Sequence, residues 1–195
     1  LPEILDLADQ WDAMVMVDEA HGTGVLGASG GGAVEYLGCR HRPMVQVGTL
    51  SKALGSLGGY VTGSADLIDF LRNRTATWIY TTGLSPADAA AARAAIAILT
   101  QSPELLIQLT ENAHYLRKSL DQLHVQRLPS ESPIVCIQVK DAATVLALGQ
   151  HLQQQGIFAS AVRPPTVPTS RLRMTVMATH TQADIDRLIT AIRSF

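Results

Sequence analysis

The sequence predicts an α/β fold, with a mainly parallel sheet in the first part of the chain and a smaller α+β domain after it. Two apolar runs, at residues 13–17 and 44–47, are bounded by turn-forming residues and have the length of buried parallel strands. Towards the carboxyl terminus, short apolar runs alternate with helical patterns, which is typical of a sheet covered by helices. These observations predict two domains, residues 1–100 and 101–195.

Local signals divide the chain further into helices and strands. A helix at residues 65–74 has Asp66 in its first turn and arginines in its last turn, and Pro86 occupies the first position of an alanine-rich helix. Apolar residues at three- and four-residue spacing predict a long linking helix over residues 103–123. The predicted order is helix 2–10, strands 13–17, 44–47 and 58–63, helix 65–74, strand 78–80, helices 86–99 and 103–123, strand 134–139, helix 142–155, strands 157–162 and 172–178, and helix 182–192.

Composition excludes several classes of protein. Hydrophobic residues make up 47% of the chain and charged residues 16%, which is ample for a packed core. The net charge of −2 gives no basic surface that would bind nucleic acid or an anionic membrane. We find no apolar stretch of membrane-spanning length, no signal peptide and no metal-binding motif. Two cysteines, Cys39 and Cys136, make no disulfide framework, so a reduced cytoplasmic setting is expected. We interpret Cys136 as a small buried apolar residue.

Polar side chains follow the first two predicted strands. Asp18 and His21 come after the first strand, and Thr49 and Lys52 come after the second. Because ligands of open α/β sheets bind beyond the carboxyl ends of the strands, these four side chains should meet at one edge. A lysine at a strand end is most often a solvated surface charge, but Lys52 lies in a weakly charged segment that should desolvate its amine, as a Schiff-base lysine requires. This combination predicts carbonyl chemistry.

A different class of protein shares one of these motifs. An apolar strand followed by Asp18-Glu19-Ala20-His21 is also found in DEAH ATPases, in which the first acid holds magnesium. Such an enzyme also needs a G-x-x-x-x-G-K-[ST] loop, which is not found in these residues, and a basic surface for nucleic acid. The glycines in residues 22–32 are therefore interpreted as turns and close packing, and the ATPase hypothesis is the remote one.

Four ordered motifs carry a family resemblance that covers the chain from first residue to last. They are VDEAHGTGVLG (17–27), GTLSKALGSLGGYVTG (48–63), WIYTTGLSPA (78–87) and VRPPTVPTSRLRMTVMATH (162–180). Together they resemble the α-oxoamine synthases, a fold-type I family that depends on pyridoxal 5′-phosphate (PLP). The resemblance implies that the predicted sheet is part of the large domain of a fold-type I transferase, and that a small domain follows it.

The resemblance also implies a role for each matching residue. Lys52 would bind PLP as a Schiff base and later remove the substrate Cα proton, and Asp18 would keep the pyridine nitrogen protonated. His21 would contact the phenolic oxygen. Thr49 would bind the phosphate, and Thr81 and Thr82 would reach the phosphate of a neighbouring subunit in a homodimer. In the second domain, Arg173 would grip the carboxylate of the amino-acid substrate, with Arg163 near the same pocket.

The same resemblance implies a substrate class. The segment RPPTVP followed by RLR favours the branch of the family that condenses L-alanine with a pimeloyl thioester, carried by acyl carrier protein or CoA. The nearest alternatives are glycine-using branches, which make 2-amino-3-ketobutyrate or 5-aminolevulinate. Family members are about twice as long, and this chain enters their pattern about halfway through the large domain. We therefore expect the isolated chain to be an incomplete, inactive enzyme.

Overall fold

The structure is a computed structural model that describes residues 1–195. The chain forms two compact units, Leu1–Leu106 and Ile107–Phe195. Within the first unit lie α1 (Pro2–Gln10), β1 (Met16–Asp18), α2 (Ala33–Tyr36), β2 (Val45–Thr49), β3 (Gly59–Thr62), α3 (Ala65–Arg74), α4 (Ala76–Ile79) and α5 (Pro86–Gln101). Helix α6 (Glu104–Gln122) begins at the boundary, and β4 (Ile134–Gln138), α7 (Ala142–Gln154), β5 (Ser160–Val162), β6 (Arg171–Thr175) and α8 (Gln182–Arg193) follow.

The sheet of the first unit has the strand order β1-β2-β3. Strands β1 and β2 are parallel, with Asp18 opposite Val47, as the sequence predicted. Strand β3 is antiparallel to β2, with Tyr60 opposite Gly48, so this sheet is mixed rather than mainly parallel. The parallel pair places the carboxyl ends of β1 and β2 at the same edge, which is the condition for a shared site.

Strand β2 is more deeply buried than strand β1. Val45 in β2 is buried, whereas Met16 in β1 is 65% exposed, so the prediction that both strands are buried is wrong for β1. The reason is that β1 lies at the edge of the sheet and only its inner side chain, Val17, packs on the small cluster of Leu5, Val34 and Cys39. The sequence pattern reports the apolar character of a strand but not whether both of its faces are covered.

The prediction of a strand at residues 78–80 is also wrong. Residues 78 and 79 are the last two residues of the short helix α4, and residue 80 follows it directly. The amides of Trp78 and Tyr80 donate to the carbonyls of Thr75 and Ala76, each 3.0 Å away. Trp, Ile and Tyr favour strands, but no neighbouring strand pairs with this segment, so local hydrogen bonds decide its conformation. The same dependence on context accounts for α2, a helix of 4 residues that the sequence analysis missed.

The second unit is an antiparallel sheet, in the order β4-β6-β5, covered by helices on one face. Leu172 and Met174 of β6 point into the core together with Val135 of β4 and Leu152 of α7, and all four are buried. By the two-residue period of a strand, Arg171 and Arg173 lie on the opposite face. The core is therefore on one side of this sheet and the two arginines are on the other.

Local capping signals explain why several predicted helices begin and end where they do. The side chains of Ser64, Ser85, Asp141 and Thr181 each accept a hydrogen bond from an amide in the first turn of the helix that follows. Gly156 adopts φ +72° just after α7, a conformation that favours glycine and stops the helix. Caps of this kind depend on a few adjacent residues and can be read from the sequence.

We predict that the second unit loses stability in acid. The hydrogen bond from the Thr181 amide, followed by that from the Thr181 hydroxyl, lowers the pKa of Asp184 below its ordinary value of 3.8, and the Thr144 amide has the same effect on the pKa of Asp141. Because these pKa values are lower in the folded chain, the stabilisation is fully present above about pH 4 and is lost as the pH falls through the folded values. Urea unfolding at about pH 7 and about pH 3 measures this loss.

The variant Asp184→Asn should show a smaller fall in unfolding free energy between the two pH values than the wild-type chain. Glu111→Gln, at an exposed position on α6, is the control and should keep the wild-type dependence. An Asp184→Asn variant with the full wild-type dependence would contradict this account.

Candidate active site

The candidate site is built on the segments that leave β1 and β2 at the same edge of the sheet. Asp18 is the last residue of β1 and is exposed, and its Oδ1 accepts a hydrogen bond of 2.8 Å from the Ala20 amide. His21 lies in the turn that follows and is exposed. Thr49 is the last residue of β2, and Lys52 follows it by three positions. The structure therefore brings all four predicted residues to two neighbouring segments.

The lysine loop, residues 50–58, is held by its own backbone and by Thr49. The Thr49 hydroxyl lies 3.1 Å from the Gly58 carbonyl and 2.7 Å from the Ser51 hydroxyl. The Ser56 amide donates to the Leu50 carbonyl at 2.8 Å. These bonds fix the loop while Lys52 itself is exposed, so the desolvation that we expected at this amine is not found in the structure.

Ser51 is a candidate that the sequence analysis missed. Its amide donates to Thr49 Oγ1 at 3.1 Å and its hydroxyl is adjacent to that of Thr49, so two hydroxyls meet directly before the lysine. The Ser51 hydroxyl is exposed and can rotate away from Thr49 to donate to an oxygen of a phosphate. The signal was present in the sequence as a hydroxyl two residues after Thr49.

Glu19 is a second residue whose importance the sequence did not reveal. It is 1% exposed, and its carboxylate accepts hydrogen bonds of 2.8 Å from the amides of Ala33 and Val34 at the start of α2. A Cβ at Gly22 or Gly32 would overlap this carboxylate, which explains the need for glycine at both positions. The buried carboxylate therefore ties the turn after β1 to α2, as the interpretation of these glycines as close packing predicted.

Thr81 and Thr82 lie in an exposed segment between α4 and α5, not at the end of a strand. The Thr81 hydroxyl donates to the Thr82 carbonyl at 3.4 Å. Further along the chain, in the first turn of α5, the Asp88 carbonyl accepts a hydrogen bond of 2.6 Å from the Ser56 hydroxyl of the lysine loop. The structure shows no hydrogen bond between these two threonines and Lys52.

The predicted substrate arginines belong to the second unit. Arg173 is half-buried in β6, between Cys136 of β4 and Ser160 of β5, and it lines a cavity of about 470 Å³. Arg163 is exposed in the loop after β5, and Arg171 shares the sheet face of Arg173. The guanidinium of Arg171 donates to the carbonyl and the hydroxyl of Thr169, at 3.2 and 3.1 Å.

Cys136 is half-buried on this arginine face, so the prediction of a buried core residue is only partly right. Cys136 directly opposes Arg173 in the sheet, so the two side chains share the face that points away from the core. Burial raises the pKa of the Cys136 thiol, and the positive charges of Arg171 and Arg173 offset part of that rise. The thiol is therefore the protonated form at neutral pH.

Comparison with known proteins defines the family. The aminotransferase class I and II family matches residues 1–192, and the chain belongs to this family. A relative in Nostoc punctiforme, named "Putative 8-amino-7-oxononanoate synthase", is 60% identical over 99% of this chain and 49% of its own length. A relative of the same name in Acaryochloris marina is 56% identical over 98% of this chain and 51% of its own length. The chain thus spans about half the length of the curated relatives it matches.

Solved structures agree on the fold. A serine palmitoyltransferase from S. paucimobilis with bound PLP and myriocin is 30% identical, with a TM-score of 0.94 over 100% of this chain and 50% of that chain. The 8-amino-7-oxononanoate synthase of Francisella tularensis is 28% identical, with a TM-score of 0.85 over 98% of this chain and 57% of that chain. The fold is that of the fold-type I PLP enzymes, and the cofactor is PLP. The family match leaves the ATPase hypothesis without support.

The residues at the edge of β1 and β2 fit this cofactor by their chemistry. PLP presents a pyridine nitrogen, a phenolic oxygen, a phosphate and an aldehyde. The edge offers the carboxylate of Asp18, the imidazole of His21, the hydroxyls of Thr49 and Ser51, and the exposed amine of Lys52. Each group of the cofactor has a partner of suitable charge or hydrogen-bonding capacity.

Among the helices of the structure, none has the length and apolar character of a membrane span.

Proposed function

We propose that the chain supplies the PLP-binding lysine and the carboxylate-binding arginine of an α-oxoamine synthase. That enzyme condenses L-alanine with a pimeloyl thioester to give 8-amino-7-oxononanoate, CO2 and the free thiol of the carrier. The observation that carries this proposal is the parallel pairing of β1 and β2, which places Asp18 and the lysine loop at one edge of the sheet. The identity of 60% to a relative with that name supports the choice of reaction.

Each residue at the edge then has a defined task. PLP, when bound, withdraws electrons from the substrate Cα and so stabilises the negative charge left there by a departing proton. Lys52 would hold the cofactor through its amine and would accept the substrate Cα proton at Nζ. Asp18 keeps a proton on the pyridine nitrogen through its negative charge, and His21 donates a hydrogen bond to the phenolic oxygen. Thr49 and Ser51 bind the phosphate.

Arg173 orients the amino acid. A guanidinium is planar and can donate two parallel hydrogen bonds to one carboxylate, which fixes the direction of the substrate as well as its position. Arg173 is half-buried on the face of the second sheet opposite the core, between Cys136 and Ser160 of the neighbouring strands. Arg163 is assigned to the same pocket on the basis of the sequence motif alone.

A second candidate is a serine-using synthase, because the serine palmitoyltransferase has the higher TM-score, 0.94 against 0.85. We prefer the alanine reaction, since relatives named for it are 56–60% identical whereas the serine palmitoyltransferase is 30% identical. A shared fold does not determine the substrate, and residues lining the site do. Glycine-using synthases are the next alternative, and the RPPTVP segment is the sequence feature that disfavours them.

We also propose that the active enzyme is a cytoplasmic homodimer with shared sites, and that this chain alone does not turn over. The curated relatives are about twice as long, so the chain covers only about half of their structure. Within the first unit, Met14, Met16 and Trp11 are each more than half exposed. Apolar exposure on this scale around β1 is typical of a surface that another polypeptide covers.

The test supplies L-alanine and pimeloyl-CoA to the chain alone, and to the chain co-expressed with the part of the Nostoc punctiforme relative that it does not match. We expect no 8-amino-7-oxononanoate from the chain alone and product from the combination. Arg173→Lys should reduce kcat/KM for L-alanine in the combination by about tenfold or more, because an ammonium cannot make the bidentate contact.

Product from the unaided chain would contradict the proposed incompleteness. Turnover with glycine or L-serine in place of L-alanine would reassign the substrate to one of the alternatives. A combination that assembles and yields no product with any of the three amino acids would contradict the proposed reaction.

A further inference from the structure

A pair of hydroxyls connects the turn after β1 to β3. The hydroxyl oxygens of Thr23 and Tyr60 lie 2.6 Å apart, and Thr23 Oγ1 lies 3.0 Å from the Glu19 carbonyl oxygen. Because a carbonyl can only accept, the Thr23 hydroxyl donates its one proton to Glu19, and the Tyr60 hydroxyl must donate to Thr23. We call this pair, Thr23 and Tyr60, the hydroxyl bridge.

The bridge crosses the central strand of the sheet. Tyr60 is on β3 and pairs with Gly48 of β2, whereas Thr23 belongs to the turn that leaves β1 on the far side. A Cβ at Gly48 would lie 2.5 Å from the Tyr60 ring, so the ring can pass over β2 only because residue 48 is glycine. The side chain of Tyr60 therefore spans from one edge strand to the segment that follows the other.

Through Thr23, the hydroxyl bridge is hydrogen-bonded to the Glu19 carbonyl, which accepts most of the hydrogen bonds within the turn. The Glu19 carbonyl also accepts the amides of Gly22 and Thr23, each at 2.9 Å. His21 lies between this carbonyl and those amides in the chain, and the Glu19 carboxylate fixes the start of the same turn to α2. The position of His21 thus depends on contacts on both sides, one from α2 and one from Tyr60.

We propose that Tyr60 is a positioning residue, which acts through Thr23 to hold the turn that carries His21 in the orientation that PLP requires. The inference rests on the proposed function for His21. It adds to that function a residue that does not touch the cofactor itself, together with Gly48, whose lack of a side chain lets the ring pass.

The first test needs no cofactor and uses the full chain. Tyr60→Phe keeps the ring over Gly48 and removes only the hydroxyl, so hydrogen exchange of the Gly22 and Thr23 amides should become about threefold to tenfold faster. Tyr115→Phe is the matched control, because it removes a tyrosine hydrogen bond of 2.7 Å to Asp186 in the second unit. It should leave exchange in the turn unchanged.

The second test measures the dissociation constant of PLP and the pH midpoint of the visible band of the bound cofactor. In Tyr60→Phe the dissociation constant should rise about threefold to tenfold and the midpoint should shift, and neither should change in Tyr115→Phe. Thr23→Val should reproduce the effect of Tyr60→Phe, and the double variant should lose no more than either single one.

The outcomes separate this inference from the proposed function. If the wild-type chain binds PLP at Lys52 and Tyr60→Phe changes neither the exchange nor the cofactor, the inference is wrong and the proposed function stands. Faster exchange with unchanged affinity and midpoint would leave Tyr60 a structural residue and overturn its positioning role. If the chain combined with the part of the Nostoc punctiforme relative that it does not match takes no PLP at Lys52, the proposed function fails, and the role of Tyr60 toward the cofactor fails with it.

Discussion

Replacement of Lys52 by alanine is expected to abolish covalent binding of PLP to the chain. Lys52 is the only amine in the lysine loop, and the hydrogen bonds from Thr49 and Ser51 hold that loop without any contribution from its side chain. The loop should therefore keep its shape while the reactive group is lost. The visible absorption band of the bound cofactor should disappear completely, with the unfolding free energy within about 0.5 kcal/mol of the wild type.

The other lysines are built-in controls for this experiment. The chain contains Lys118 and Lys140 besides Lys52, and both are also exposed. Because exposure alone would make all three equally reactive, Lys118→Ala and Lys140→Ala should leave the visible band unchanged if the site is formed by the surrounding groups. A visible band that persists in Lys52→Ala would show that another amine binds the cofactor.

Replacement of Asp18 by asparagine is expected to weaken PLP binding by about tenfold to hundredfold. A hydrogen bond to a charged group contributes about 1.5–3 kcal/mol, and the charge of Asp18 is what keeps the pyridine nitrogen protonated. Asparagine has nearly the same shape and keeps an Oδ1 that can accept the Ala20 amide, as Asp18 does at 2.8 Å. The substitution therefore removes the charge and leaves the turn in place.

Asp18→Ala separates the two roles of this side chain. Alanine loses the turn hydrogen bond as well as the charge, so it should bind PLP no better than Asp18→Asn and should also unfold more easily. Dissociation constants are measured by titration of the visible band, and stability is measured by urea unfolding. An Asp18→Asn variant with wild-type affinity for PLP would remove Asp18 from the proposed site.

The helices were predictable from the sequence where their ends depend on neighbouring residues. The predicted helices at residues 2–10 and 65–74 coincide with α1 and α3, which begin at a proline at the first helical position and at the Ser64 cap. The parallel pairing of β1 and β2 followed from two apolar runs with polar residues after them. These features require no knowledge of distant contacts, so local patterns specify them.

The features that the sequence did not reveal depend on contacts between distant residues. Tyr60 and Thr23 are 37 positions apart, and Glu19 reaches the amide of Val34 across 15 positions. Exposure of Lys52 and of β1 depends on what packs against them, which the pattern of a single segment does not contain. The roles of Thr81, Thr82 and Arg163 came from the family resemblance and stay predictions.

The PLP site is tested by incubating the chain, co-expressed with the part of the Nostoc punctiforme relative that it does not match, with PLP, followed by borohydride reduction and mapping of the modified peptide. We expect a single reduced adduct on Lys52, with Lys118 and Lys140 unmodified at the same PLP concentration. Adducts distributed equally over the three lysines, or no adduct on Lys52, would contradict the assignment of the edge of β1 and β2 as a PLP site.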